Sequence, residues 1–164
     1  MLITTKAKAL VEHWFYHLQQ GGLASILPDI LEKTQANDWR VLLKVGPCLG
    51  SPVEEMARLD TYLWTYKKIA FLPHGRDDEP LSDAHPIVLS IDAKTADGFD
   101  VVVLVAGADM NDPSNAKRCI TILDGGDETD RGIARRRWKT AKDAGLTTAY
   151  WKQDDYGKWI KPNL

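Results

Sequence analysis

The chain has 164 residues, with 44% hydrophobic residues, 27% charged residues and a formal net charge of −2. That length suits one ordinary domain with room for a real core. The charge balance excludes a chain that binds polyanions through its overall charge, so any attraction for acidic partners must be local. No apolar run approaches membrane length. The start, Met1-Leu-Ile-Thr-Thr-Lys-Ala-Lys8, lacks the long apolar stretch of a secretory signal. A reduced cytoplasmic setting without membrane contact is therefore expected. Cys48 and Cys119 show no metal-type spacing and no disulfide framework, and both are expected to be small buried residues.

His13-Trp-Phe-Tyr-His-Leu18 is short and aromatic and reads as a first strand. Leu23 to Asn37 carries Leu23, Ile26, Leu27, Ile30 and Leu31 at helical spacing, with Pro28 either in the first turn or bending the helix. Trp39 to Val45 is the second strand, broken by Gly46-Pro-Cys-Leu-Gly50. Ser51-Pro-Val-Glu54 then starts a helix, with a hydroxyl N-cap, proline at the first helical position and a capping-box glutamate. Its apolar side is expected to hold Val53, Met56, Ala57, Leu59, Leu63 and Trp64.

Phe71 to Pro86 is rich in Pro, Asp and Gly and reads as surface loop. Ile87–Ile91, Asp100–Ala106 and Arg118–Leu123 read as strands, and the second is apolar on both faces, as in the middle of a covered parallel sheet. A helix follows, opened by Asp124 to Asp130. Thr147–Gln153 can pair with Lys158–Lys161 across Asp-Asp-Tyr-Gly as an end hairpin, with 154–164 as a C-terminal extension. Strands alternating with helices give a single α/β domain over 1–164 with a mostly parallel sheet.

Familiar chemistry is missing from the loops. Gly46 to Ser51 follows a strand and precedes a helix, but it is neither Gly-x-x-x-x-Gly-Lys-Ser/Thr nor Gly-x-Gly-x-x-Gly. His74, His85 and Asp77-Asp-Glu79 form no recognisable ligand pattern and read as solvated loop residues. His13 and His17 have no matched nucleophile, and no Gly-x-Ser-x-Gly elbow occurs. Neither catalysis nor a cofactor is expected.

The most informative stretch is Arg131 to Gly145. At about 100° per residue, Arg131, Arg135, Trp138, Lys139 and Lys142 share one narrow arc of a helix. Ile133, Ala134, Ala141 and Ala144 lie on the other side and can pack inward. Such a front suits an acidic ligand with a hydrophobic group. It equally describes a solvated basic helix whose tryptophan covers a neighbour. Direct binding of single-stranded DNA through Trp138, or a small-molecule enzyme using the Gly46–Ser51 loop, are further readings. The DNA reading needs a longer basic track than one helix face.

Four pieces taken together carry a resemblance. They are Phe15-Tyr-His-Leu18; Leu31-Glu-Lys with Trp39-Arg-Val-Leu42; Leu59-Asp-Thr-Tyr-Leu-Trp64 with Phe71-Leu-Pro-His-Gly75; and Ala134 to Lys139 with Ala144-Gly145 and Tyr150-Trp151. Their order and spacing, over about 13–153, resemble the chi subunit of bacterial DNA polymerase III holoenzyme. The resemblance implies a Rossmann-like sheet without nucleotide-binding motifs and a non-catalytic accessory protein of the clamp-loader assembly. It implies binding of the acidic C-terminal tail of single-stranded-DNA-binding protein at Arg131, Arg135, Trp138, Lys139 and Lys142. It also implies contact with the small psi subunit, or an equivalent loader component, at Trp64, Phe71 and Pro73, with any DNA contact indirect. Asp143 inside the basic stretch departs from the pattern, as does the run beyond Trp151.

Overall fold

The protein is described from a computed structural model covering residues 10–67, 72–80 and 82–162. In chain order the elements are β1 (Glu12–Leu18), α1 (Leu27–Ala36), β2 (Val41–Val45), α2 (Pro52–Thr65), β3 (His74–Arg76) and β4 (Ile87–Ser90). They continue with β5 (Val101–Val105), β6 (Arg118–Asp124), α3 (Glu128–Asp143), β7 (Thr148–Gln153) and β8 (Trp159–Ile160). Single 3-10 turns occupy Leu23–Ser25 and Ser82–Ala84. The strands form one sheet in the order β3-β4-β2-β5-β6-β1-β7-β8. Every pairing is parallel except β7 with β8, which closes the expected end hairpin. The α/β class and the mostly parallel sheet stand as read.

Burial follows from position in the sheet. All five residues of β5 are buried, as an apolar strand flanked by β2 and β6 requires. One core layer joins Leu27, Ile30 and Leu31 of α1 and Met56, Leu59 and Leu63 of α2 to the strands. On the opposite face, Phe15 and Leu123 meet Ala134 of α3. α2 starts as its sequence dictates: Ser51 caps it, Pro52 occupies the first position and Glu54 N–H donates to the Ser51 hydroxyl. Pro28 sits in the first turn of α1, where its missing N–H has no cost.

Several expectations are corrected. The Phe71–Pro86 stretch is not all loop, because His74–Arg76 forms edge strand β3 beside β4. His74 is buried rather than solvated; its Nδ1 lies 2.6 Å from the Leu72 carbonyl and its Nε2 2.9 Å from the Asp60 carbonyl. On α2, Val53, Ala57 and Trp64 are exposed, while Glu55 is buried. Ala144 is exposed at the end of α3. Cys119 is buried, but Cys48 is only half-buried. Among the described residues no helix is long and apolar enough to cross a membrane.

Phe15 has no exposed surface and stacks on Tyr150, with ring centroids 5.8 Å apart. Phe15→Ala should therefore lower unfolding free energy by about 3–5 kcal/mol, the range for emptying an aromatic core site. Urea denaturation checks this, and a loss well below that range would mean that α3 collapses onto the vacated space.

Candidate partner-binding site

α3 is held in place by its ends and by one unexpected side chain. Asp127 caps it, its Oδ1 accepting from Asp130 N–H at 2.9 Å. Glu128 and Asp130 lie in the first turn and Lys142 in the last, as the helix dipole favours. The helix packs on β6, β1 and β7. Ala134 and Ala141 face inward, so the helix lies close to the sheet.

The three consecutive arginines split between two jobs. Arg137 is buried; its Nη1 donates to the Met110 carbonyl at 3.0 Å and its Nη2 contacts Asp109. Arg136 reaches the same carboxylate at 3.5 Å. Both therefore tie α3 to the segment after β5. Burial lowers the Arg137 pKa to about 10, still well above neutrality. Arg135 points to the other flank, with Arg131 one turn earlier.

On that flank a cavity of about 330 Å³ is lined by His17, Leu123, Arg131, Arg135, Trp138 and Tyr150. Three of the five residues predicted for the basic face thus meet around one space. Lys142 lies outside the lining, but its Nζ sits 5.3 Å from the Trp138 ring centre. Lys139 is exposed and also outside the lining. His17 and Tyr150 complete the cavity from β1 and β7, joined by a 2.7 Å hydrogen bond between His17 Nδ1 and the Tyr150 hydroxyl. Sequence reasoning missed both. The available signal was strand alternation, which puts His17 on the same face as Phe15, toward α3. Gly125 keeps the turn into α3 tight against β1, since a Cβ there would lie 2.3 Å from His17 Nε2 and 2.7 Å from the Leu18 carbonyl.

The electrostatics suit an anion. Burial, then the charges of Lys152 and Arg131, hold His17 below its ordinary pKa, against a smaller opposite pull from Asp124. Burial holds the Tyr150 hydroxyl above its ordinary value, so it stays protonated. The cavity thus offers two guanidinium groups, a neutral hydroxyl–imidazole pair and two aromatic walls. A carboxylate attached to an apolar ring satisfies all of them. Nothing in the lining is an activated nucleophile.

The second predicted cluster lies at the other end of the sheet, where α2 packs on β3, β4 and β2. Trp64 is 46% exposed and its ring centre is 4.2 Å from that of His74. Pro73 is half-buried beside it in sequence. Phe71 lies outside the described residues. Among the described residues no group of three His, Cys, Asp or Glu side chains could hold a metal.

Residues 11–149 match the family model described as DNA polymerase III chi subunit, HolC. The chain belongs to the DNA polymerase III chi subunit family. A curated relative, the "Probable DNA polymerase III subunit chi" of Rickettsia prowazekii (strain Madrid E), is 22% identical over 122 residues. That match covers 74% of this chain and 71% of the relative. The matched region reaches from the start of β1 into β7, so it contains β1 and α3, which carry most of the cavity lining. Family membership implies an accessory role in replication by DNA polymerase III.

The site's histidines yield a pH test. His13 is pushed down to about 4 by burial and then by Arg137, and His17 is also depressed. At these two histidines the fold binds fewer protons than the unfolded chain, so their contribution to stability is lost as pH falls below about 6.5; Asp130, raised to about 6 by burial, works in the opposite direction. In an NMR titration of the free protein, His13 should titrate near 4 and His17 below 6.5. A His17 value at or above its ordinary one would contradict the arginine-facing geometry.

Proposed function

We propose that this chi-family chain is a non-catalytic accessory subunit. In this reading it binds the acidic C-terminal tail of single-stranded-DNA-binding protein in the His17–Arg131–Arg135–Trp138–Tyr150 cavity and links that protein to the clamp loader, in the cytoplasm. The observation that carries it is the convergence of two arginines and two aromatic rings on one cavity. A tail that ends in acids, an aromatic side chain and a free carboxylate has complementary parts. Arg135 and Arg131 pair with the carboxylate, Trp138 and Tyr150 wall the ring, and Lys139 and Lys142 attract the upstream acids as screened rim charges. The exposed Trp64 with Pro73, and Phe71 two residues before Pro73 in the chain, serve as the loader-side surface for a psi-like partner. Direct DNA binding by α3 is disfavoured, because Arg136 and Arg137 are committed to Asp109 and so shorten the basic track.

Calorimetry with an acidic peptide ending in a free phenylalanine tests the reading. Trp138→Ala should cost roughly 2 kcal/mol or more, as the loss of a buried anchor does. Arg135→Ala should behave similarly, because it leaves the carboxylate unpaired. Lys142→Ala should cost about 0.2–1 kcal/mol, and added salt should erase most of that. Trp64→Ala should leave the affinity unchanged. Amidating the peptide's C-terminus should weaken binding as Arg135→Ala does. If amidation is harmless, or all variants respond alike to salt, α3 is only a general anion surface.

A further inference from the structure

Strand β1 has a second face. Its alternation sends Phe15 and His17 toward α3, and Trp14 and Tyr16 toward α1. Between α1 and the β1–β8 end of the sheet runs a groove of about 610 Å³. Trp14, Tyr16, Trp39 and Trp159 line it with Arg118 and Lys33. Half of the chain's six tryptophans thus gather in one open groove, each only partly buried.

The rings are met by cations. The Arg118 guanidinium carbon lies 3.7 Å from the Trp14 ring centre and 5.5 Å from that of Trp39. Lys117 Nζ is 5.9 Å from the Trp39 ring centre. Trp151, paired with Tyr16 across β1 and β7, carries Lys161 Nζ at 4.6 Å. Arg118 Nε is buried without a hydrogen-bond partner among the described residues. Trp159 stands edge-on to Tyr16 at 5.5 Å, so β8, beyond the family-matched region, forms the far wall.

We propose that this groove is a docking surface for single-stranded DNA, separate from the tail cavity and on the opposite face of β1. The ring surface not covered by these cations offers stacking to bases, and Arg118 and Lys33 offer charge to phosphates. A proline-rich peptide would use the rings but has no need of the cations. Family membership implies a role in DNA replication, so DNA rather than RNA is the occupant proposed. The groove also holds Asp29, and Glu12 and Asp100 pair with Arg118 and Lys117 at 3.6 and 2.7 Å. Binding is therefore weak and strongly salt-dependent.

Fluorescence anisotropy of a labelled short oligothymidylate with the full chain tests this. Binding should be measurable at about 20 mM salt, and the slope of log affinity against log salt should be about −0.7 per phosphate engaged. Lys33→Glu, on the exposed side of α1, should weaken binding by about tenfold. Trp159→Ala should weaken it at least as much, and Arg131→Ala should leave it within about twofold. Far-ultraviolet circular dichroism confirms folding, and Lys33→Glu keeps the test valid if Trp159→Ala unfolds. No binding at low salt, or loss with Arg131→Ala in place of Lys33→Glu, would overturn the proposal. Tighter binding of oligouridylate, or displacement of the strand by a proline-rich peptide, would overturn the DNA assignment. The tail reading survives either result, because its variants lie in the other cavity.

Discussion

A buried guanidinium sets where the proposed partner site can be. Arg137 leaves solvent only because Asp109 and the Met110 carbonyl receive it, and those two residues follow β5. Taking a charge out of water is costly unless partners receive it, and Asp109, itself partly exposed, does so at the edge of the buried region. α3 is therefore locked in rotation about its own axis. With Arg137 inward, Arg136 is held at the Asp109 rim, while Arg131, Arg135 and Trp138 must face His17 and Tyr150. One ion pair on one flank of the helix orients the proposed tail-binding residues on the other.

The sheet supplies the rest. β1 lies between β6 and β7, so both of its faces are presented to other elements. The period of two divides its aromatic residues: Phe15 supports Tyr150 beneath α3, and Trp14 and Tyr16 line the groove beside α1. A single short strand thus shapes two cavities of different character. One is smaller, with two arginines and a neutral hydroxyl–imidazole pair. The other is larger and aromatic, with its cations laid against ring faces. The exposed Trp64 surface lies beyond both, at the β3 end of the sheet.

Features governed by local spacing were legible in the sequence. The buried strands announced themselves as apolar runs, the Ser51-Pro52 start of α2 by its cap, and the basic face of α3 by helical period. Features made by distant partners were not. His17 and Tyr150 are 133 residues apart and become a site only when β1 and β7 pair. β3 has three residues, one of them glycine, and exists because β4 offers it an edge. His74 reads as solvated until Asp60 and Leu72 are found around it. Arg137 has no place in the sequence reading, since nothing nearby in sequence tells that Asp109 will receive it. Trp64 and Val53 fit the apolar period of α2 yet remain exposed, Trp64 with its ring against His74.

The central claim is that the cavity bounded by β1, β7 and α3 receives an acidic, aromatic-ended tail. The most direct measurement is an NMR titration of isotope-labelled protein with that peptide, followed at the tryptophan indole and histidine ring signals as well as the backbone. The account predicts that the largest shifts fall on Trp138, His17, Tyr150, Arg131 and Arg135, and that the His17 pKa rises as the bound carboxylate offsets the nearby positive charges. Shifts centred on Trp64 or on the Trp14–Trp159 groove, with the His17 pKa unmoved, would contradict it.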